Sequence, residues 1–234
     1  MQIRSLAYPS FNLQRIPEQE LMLDSEQIQS YANADFSESH SYIIQQLKNH
    51  LPNSFHPNRI LDLGAGSGDM TARLFETFPN ANLDAVDGSL PMININKSYI
   101  TNRFNKHQIQ WHQSQIQEWI PEYKYDLFFS NSLLHHLEDP FELWATMQRS
   151  IHADSFLFIC DLIRPISTLD AKNLVNLYTK NESEILKKDF YNSLLASYTI
   201  EEVKSMLGVI KMADKLSVDQ ITDRHWICYS KNLY

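Results

Sequence analysis

The sequence has few cysteines and no excess of positive charge, and both shortages exclude classes of protein. Two of the 234 residues are cysteine, too few for a disulfide framework or a cysteine-bound zinc or iron–sulfur cluster. The 28 aspartates and glutamates outnumber the 20 lysines and arginines, so the net charge is −8. A protein that mainly grips nucleic-acid phosphates needs a basic surface, so we do not expect a nucleic-acid partner.

Long apolar runs are also missing. No stretch approaches the roughly eighteen apolar residues of a membrane-spanning helix, and the start "MQIRSLAYPS" lacks the apolar core of a signal peptide. Cys160 and Cys228 lie in apolar runs, as expected of buried, reduced thiols. We therefore expect a cytoplasmic protein without a membrane partner. The oligomeric state stays open.

From Arg59 onward, short apolar runs alternate with helical patterns, which include "DMTARLFETF" and "QIQEWI". The runs are "RILDL", "NLDAVD", "QIQWHQ", "YDLFFS" and "SFLFICDL". Such alternation predicts an α/β fold with a Rossmann-like, doubly wound and mostly parallel sheet. The final runs, "VIKMADKLSV" and "RHWICYSKN", have no helix between them, so we expect an antiparallel C-terminal hairpin that completes seven strands.

The chain is predicted to form one globular unit that consists of an N-terminal lid and a main domain with an insertion. Residues 1–58 read as a helical N-terminal lid, and residues 59–234 form the main domain. Residues 164–198 interrupt that domain with an expected insertion of one or two helices. Thr199 and Glu202 have the spacing of a capping box, which predicts the start of the helix that follows.

Glycine is scarce as well, yet three of the five glycines, Gly64, Gly66 and Gly68, fall within five residues after "ILDL". Residues without a Cβ permit a tight strand-to-helix turn and let the backbone approach a ligand. The following helix would offer unpaired N–H groups. Asp87, at the end of the next strand, can accept hydrogen bonds from ribose hydroxyls, as in nicotinamide dinucleotide and adenosyl sites. The spacing G-x-G-x-G differs from the dinucleotide fingerprint G-x-G-x-x-G, which favours an adenosyl site.

Four stretches of the chain resemble class I S-adenosylmethionine-dependent methyltransferases. They are "ILDLGAGSGDMTARL", "LDAVDGSLPMI", "YDLFFSNSLLHHLEDP" and "FLFICDLIRP", and the resemblance is close over residues 59–161. It implies transfer of a methyl group from S-adenosylmethionine to an acceptor, with S-adenosylhomocysteine as product. The loop at Asn131 lacks the "[DN]-P-P-[YF]" typical of methylation of planar amides or base amines, so we expect a small-molecule acceptor that reacts through O, N, C or S.

The resemblance also implies a set of cofactor-binding residues. Asp62 would hold the methionine ammonium or order the loop, and the residues beneath methionine and ribose would be Gly64, Ala65, Gly66 and Gly68. The ribose would be bound by Asp87, Gly88 and Ser89, and the adenine would be surrounded by Met92, Gln115 and Ile116. Asn131 would lie at the mouth of the methyl-donor site. Many members of the family carry Asp where this chain has Gln115.

Methyl transfer from a sulfonium mainly requires alignment and exclusion of water, and a base is needed only if the acceptor holds its proton firmly. The catalytic candidates are His135, His136 and Asp161. The histidine pair could instead be a structural feature of the loop, and Asp161 a cap or a partner of Arg164. His225 reads as a surface residue of an edge strand. Asp161 alone does not make a case for a divalent metal, so none is expected.

The acceptor lid is predicted from aromatic residues and one arginine. Tyr31 and Tyr42 are the lid candidates, and Arg164 or Arg15 could bind a substrate carboxylate, although a surface ion pair is the simpler role for each arginine. Three alternative functions remain open: a non-catalytic protein that binds S-adenosylmethionine or S-adenosylhomocysteine, a methyltransferase acting on tRNA or protein, and a nucleotide-dependent oxidoreductase, which the glycine spacing disfavours.

Overall fold

A computed structural model describes residues 13–18, 24–104 and 108–231 of the chain. The described strands are β1 Arg59–Leu63, β2 Asn82–Asp87, β3 Ile109–Gln113, β4 Tyr125–Asn131, β5 Ile151–Leu162, β6 Leu216–Gln220 and β7 His225–Ser230. The described α-helices are α1 Ser25–Asn33, α2 Ser37–His50, α3 Asp69–Thr77, α4 Leu90–Thr101, α5 Phe141–Ser150, α6 Thr168–Tyr178, α7 Glu184–Ala196 and α8 Ile200–Val209, and a 3-10 turn covers Leu134–His136.

The seven strands form one sheet in the order β3-β2-β1-β4-β5-β7-β6. Strands β1 to β5 run parallel, whereas β7 lies antiparallel between β5 and β6. This arrangement confirms the predicted Rossmann-like sheet with an antiparallel C-terminal hairpin. The strand order reverses direction between β1 and β4, and open parallel sheets bind ligands beyond the carboxyl ends of the strands at such a switch point.

The central strands are mostly buried because helices cover both faces of the sheet. On one face, Ile60 and Phe129 pack in a cluster with residues of α2, α3 and α4. On the other face, Leu61 and Phe128 pack with residues of α5 and α8. The carboxyl ends of the strands are therefore held by two packed layers, and the loops that follow them start from fixed positions.

The helix predicted at "QIQEWI" is wrong. Residues 116–118 form a turn in which the backbone N–H groups of Glu118 and Trp119 donate to the carbonyl of Gln115. Ile116 and Trp119 are both buried in the core, which fixes this segment by packing. Pro121 follows directly and disfavours continuation of a helix.

Residues 164–198 contain α6 and α7, and their assignment as an insertion stays a prediction. The capping box is confirmed, because Glu202 N–H donates to Thr199 Oγ1 at 3.2 Å and Thr199 N–H donates to the Glu202 carboxylate at 2.8 Å. The division at residue 58 stays a prediction. Within the described ranges, no helix has both the length and the apolar character needed to cross a membrane.

We expect Gly208→Ala to raise the free energy of unfolding by about 0.5–1 kcal/mol, because glycine in a helix interior is less favourable than alanine. Gly208 lies inside α8, and an added Cβ would meet no atom within 4 Å. Urea unfolding of the two proteins measures the difference, and a less stable variant would contradict the helical geometry described for α8.

Candidate active site

A cavity of about 1090 Å³ opens beyond the carboxyl ends of the parallel strands. Its size is at the upper end of the range for small-molecule sites, so it has room for a cofactor and an acceptor. The predicted site residues that line it are Tyr31, Tyr42, Gly64, Gly66, Asp87, Gly88, Ser89, Met92, Gln115, Ile116, Asn131, His135 and His136. The structure therefore brings residues from most of the chain to one place.

Five predicted site residues are not among those that line the cavity: Asp62, Ala65, Gly68, Asp161 and Arg164. All five are buried or lie within the turn below the cavity wall. Asp161 contacts the lining residue His135, whereas the partners of the other four, described next, lie outside the wall. Their contribution to a ligand site is thus indirect.

The glycine turn after β1 adopts backbone angles that favour glycine. The φ angles of Gly64, Gly66 and Gly68 are 78°, 51° and 101°, all in the left-handed region. The turn is fastened to the end of β2, since the N–H groups of Gly64 and Ala65 both donate to the carbonyl of Val86, at 2.9 and 3.0 Å.

Asp87 connects the glycine turn to the loop after β2. Its Oδ2 accepts from Gly66 N–H and its Oδ1 from Ser89 N–H, each at 2.8 Å. Burial raises the pKa of Asp87, and the two backbone hydrogen bonds oppose that rise. Each carboxylate oxygen has two lone pairs, so both oxygens can still accept from a ligand hydroxyl at the cavity wall.

A buried polar network supports the turn from below. Thr71 Oγ1 donates to Asp62 at 2.6 Å and accepts from Asn96 Nδ2 at 3.1 Å, while Asn96 Oδ1 accepts from Trp111 Nε1 at 3.0 Å. Burial raises the pKa of Asp62 to about 7, although the hydrogen bond from Thr71 lowers it. Asp62 thus bonds within the network below the glycine turn, and its role toward a cofactor stays a prediction. Sequence reasoning missed Asn96, whose signal is a polar residue among the buried positions of α4.

The contribution of Asp62 to the stability of the protein should fall as the pH rises from about 4 to about 7. Its folded pKa is raised, so in this window the folded chain holds a proton that the unfolded chain has released. Rising pH then favours the unfolded state. Asp62→Asn cannot titrate here and can still accept from Thr71. Urea unfolding at several pH values should therefore show that the stability of the variant falls less, or rises more, with pH than the stability of the wild-type protein. An unchanged slope in the folded variant would contradict this account.

The described N-terminal helices cover one side of the cavity. Burial raises the pKa of Tyr31 to about 12, and the charges of Asp87 and Asp69 add to that rise. Tyr42 Oη donates to the carbonyl of Ile221 at 3.2 Å and so connects α2 to the β6–β7 loop. The ion pair of His40 with Asp69, at 2.7 Å, fastens α2 to the start of α3.

At the opposite end of the cavity, His135 is held by Asp161. His135 Nδ1 forms an ion pair with Asp161 Oδ1, and His135 N–H donates to Asp161 Oδ2 at 3.2 Å. Burial alone would lower the pKa of His135, but the Asp161 carboxylate outweighs it and the pKa is raised. Burial would likewise raise the pKa of Asp161, and His135 holds it lower instead. Asp161 therefore pairs with His135 rather than with Arg164.

Glu18 contacts both histidines at this end of the cavity, and sequence reasoning did not identify it. Its Oε1 lies 3.4 Å from His135 Nε2 and 3.2 Å from His136 Nδ1, and it accepts from Ser193 Oγ at 3.0 Å. Burial raises the pKa of Glu18, and His135 opposes that rise. Glu18, His135 and His136 also form a group whose possible metal ligand atoms lie within 4.8 Å of one another. The expectation of a metal-free site stays a prediction.

The two arginines considered for substrate binding are already engaged by the protein. Arg164 donates to the carbonyl of Ser197 at 3.0 Å and to Glu202 at 2.6 Å. Arg15 donates to the carbonyls of Ala196, at 2.6 Å, and His135, at 3.0 Å. The structure therefore does not bring Arg164 to the cavity as a lid residue, because its guanidinium joins α7 to α8.

The interpretation of His225 as a surface residue is wrong. The side chain is buried and lines the cavity, because β7 lies between β5 and β6 instead of at the sheet edge. Burial and the neighbouring Arg224 lower the pKa of His225 to about 3. This histidine is thus neutral at physiological pH.

The strand order, the glycine turn after β1 and the acid after β2 together agree with the fold of class I S-adenosylmethionine-dependent methyltransferases. Residues 61–157 match the family described as "Methyltransferase domain". This part of the chain is therefore similar to that family.

Curated relatives match mainly through this domain. A trans-aconitate 2-methyltransferase of Azoarcus sp. (strain BH72) is 30% identical over 100 residues, which are 43% of this chain and 37% of that protein. A malonyl-[acyl-carrier protein] O-methyltransferase of Halalkalibacterium halodurans is 26% identical over 165 residues, 64% of this chain and 60% of that protein. The chain thus spans between about a third and three fifths of the length of these relatives.

A solved structure matches over most of the chain. The plantazolicin methyltransferase BpumL, in complex with a triazolic desmethylPZN analog and S-adenosylhomocysteine, has a TM-score of 0.67 and 19% identity, and the match covers 88% of this chain and 91% of that chain. At this level of identity the similarity shows the shared fold.

Proposed function

We propose that the protein is an enzyme that transfers the methyl group of S-adenosylmethionine to a small-molecule acceptor and releases S-adenosylhomocysteine. The observation that carries this proposal is Asp87, fixed by Gly66 and Ser89 at the wall of a cavity beyond the parallel strands. The cavity residues also fit the cofactor elsewhere. Asn131 Oδ1 is buried and has no hydrogen-bond partner in the described part of the chain, so it can accept from a bound ligand.

When bound, the cofactor supplies an electrophilic methyl group on a sulfonium. The glycine turn would lie against methionine and ribose, Asp87 would accept from the ribose hydroxyls, and Met92 and Ile116 would pack against adenine. A Cβ at Gly64 would meet Leu133 at 3.1 Å, so the loop after β4 already lies against the turn and leaves no space for a larger residue. These residues would hold the donor in line with an acceptor and exclude water, which is most of what the reaction needs.

We further propose that His135 accepts a proton from the acceptor and that Asp161 positions it. The imidazolium that forms would lie between the carboxylates of Asp161 and Glu18, which both stabilise it. His136 is the alternative acceptor, because it also lines the cavity and contacts Glu18.

His135→Gln should lower the turnover number by about a hundredfold or more and leave the affinity for S-adenosylhomocysteine unchanged. The matched control is His152→Gln, since His152 forms a comparable pair with Asp126 at 3.0 Å but does not line the cavity. Steady-state kinetics and calorimetry on the same preparations separate the two effects. Full turnover in His135→Gln would exclude this residue as the proton acceptor.

The position of α1 and α2 over the cavity supports a lid role for this region, with Tyr31 and Tyr42 as its cavity-facing residues.

A non-catalytic binding protein is disfavoured, because the cavity continues past the donor site to His135 and His136. A cytoplasmic location is supported by Cys160 and Cys228, which are buried and unpaired on adjacent strands.

Formation of S-adenosylhomocysteine from S-adenosylmethionine, measured in the presence of pooled small-molecule acceptors of defined charge, tests the proposed activity. Acceptor-dependent product is the expected result. Product formation only with tRNA or protein would replace the small-molecule acceptor with a macromolecule.

A further inference from the structure

We propose that the acceptor carries a cationic amine on an apolar or aromatic body, and that Asp189 binds this amine. The inference rests on the proposed function, since it concerns the acceptor half of the same cavity. Three observations support this proposal: the acidic lining of the cavity, the engagement of its one lining arginine by other residues, and an oxygen of Asp189 without a hydrogen-bond partner in the described residues.

The lining of the cavity is strongly acidic. Its permanently charged or carboxyl side chains are Asp35, Glu38, Asp87, Glu182, Asp189, Asp223 and a single arginine, Arg224. Arg224 lies over the ring of Tyr178 at 3.3 Å and forms an ion pair with Asp223 at 3.3 Å. A carboxylate acceptor would therefore meet carboxylates without an available guanidinium, whereas a cation would be attracted.

Asp87 belongs to the donor half, so the charge of the acceptor half rests on other residues. Asp189 and Ser193 lie one turn apart on α7, and both line the cavity. Ser193 bonds Glu18, and the charge of Asp189 contributes to raising the pKa of Glu18, so Asp189 lies near the His135 end of the cavity. An amine held at Asp189 would thus be close to the proposed proton acceptor.

One carboxylate oxygen of Asp189 accepts no hydrogen bond from the described residues. Oδ2 is buried and has no hydrogen-bond partner in the described ranges, although the side chain of Gln27 bonds the carboxyl group. Burial raises the pKa of Asp189, although the hydrogen bond from Gln27 and the charge of Lys188 oppose that rise. An ammonium group supplies both the missing hydrogen-bond donor and a positive charge.

The surroundings of Asp189 suit an apolar body next to that amine. Leu186 and Phe190 lie on the same helix, Leu137 follows the histidine pair, and all three line the cavity. Tyr178 adds a ring from α6. Aromatic rings and a carboxylate together are typical of sites for organic cations.

The experiment uses the full chain saturated with S-adenosylhomocysteine and three probes of matched shape: phenethylamine, hydrocinnamate and phenethyl alcohol. Dissociation constants are measured by ligand-observed NMR. We expect phenethylamine to bind at least about tenfold more tightly than either of the other probes, because it alone pairs with the partly buried carboxylate of Asp189. In Asp189→Asn that preference should disappear. The matched control is Glu184→Gln, which removes a charge from the same helix away from the cavity.

Calorimetry with S-adenosylhomocysteine precedes the probes and separates the two proposals. Failure of the protein to bind S-adenosylhomocysteine would overturn the proposed function itself. Normal binding of S-adenosylhomocysteine, combined with equal or stronger binding of hydrocinnamate or with no binding of phenethylamine, would overturn the amine proposal alone. Retention of the amine preference in Asp189→Asn, or its loss in Glu184→Gln, would overturn the role of Asp189.

Discussion

Asp87→Ala should weaken the binding of S-adenosylhomocysteine by about a hundredfold or more, because two hydrogen bonds from ribose hydroxyls to a charged acceptor are lost together. The fold should remain, since Asp87 is only partly buried at the end of β2 and burial already raises the pKa of its carboxyl group. The variant also frees the N–H groups of Gly66 and Ser89, which loosens the turn and adds to the loss of affinity.

Isothermal titration calorimetry measures that loss, and circular dichroism shows whether the variant is folded. Asp154→Ala is a suitable control, because Asp154 is exposed near the amino end of β5, away from the cavity. A folded Asp87→Ala protein with unchanged affinity would show that the ribose lies elsewhere.

Gly68→Ala should lower the free energy of unfolding by about 2–4 kcal/mol, through backbone strain and overpacking together. The φ angle of Gly68 is 101°, and an added Cβ would lie 2.7 Å from Asn96 Cγ and 3.0 Å from Asn96 Cα. Asn96 cannot move freely, because its amide bonds Thr71 and Trp111. The substitution therefore also disturbs the network that supports Asp62.

Gly66→Ala is the informative comparison for this prediction. An added Cβ at Gly66 would meet no protein atom within 4 Å, and Gly66 lines the cavity. This variant should lose only about 1 kcal/mol of stability, but it should bind S-adenosylhomocysteine poorly, since the new methyl group would project toward the ligand. Chemical denaturation and calorimetry on both variants test the contrast. Equal stability of the two variants would contradict the contact between Gly68 and Asn96.

The sheet and the donor half of the site follow from local patterns in the sequence. Alternating apolar runs predict the strands, and the glycine spacing with Asp87 predicts the adenosyl site, because each signal lies within a few residues. The capping box of Thr199 and Glu202 is equally local. The local pattern of "QIQEWI" predicts a helix that does not form, since the burial of Ile116 and Trp119 overrides it.

The acceptor half depends on contacts between distant parts of the chain, which no local pattern encodes. Glu18 meets His135 and His136 only because residues 13–18 pack against α7, with Ile16 N–H donating to the carbonyl of Leu195 at 3.0 Å. Arg164 looked available for a substrate because its partner, Glu202, is far away in sequence. His225 looked exposed because the position of β7 inside the sheet is a property of the whole topology.

The central claim is that the glycine turn and Asp87 form an adenosyl site, and calorimetric titration with S-adenosylhomocysteine, with NAD as the control, tests it most directly. We predict saturable binding of S-adenosylhomocysteine at one site per chain and no binding of NAD. Binding of NAD alone would contradict the account, and binding of neither ligand would show that the fold is present without the site.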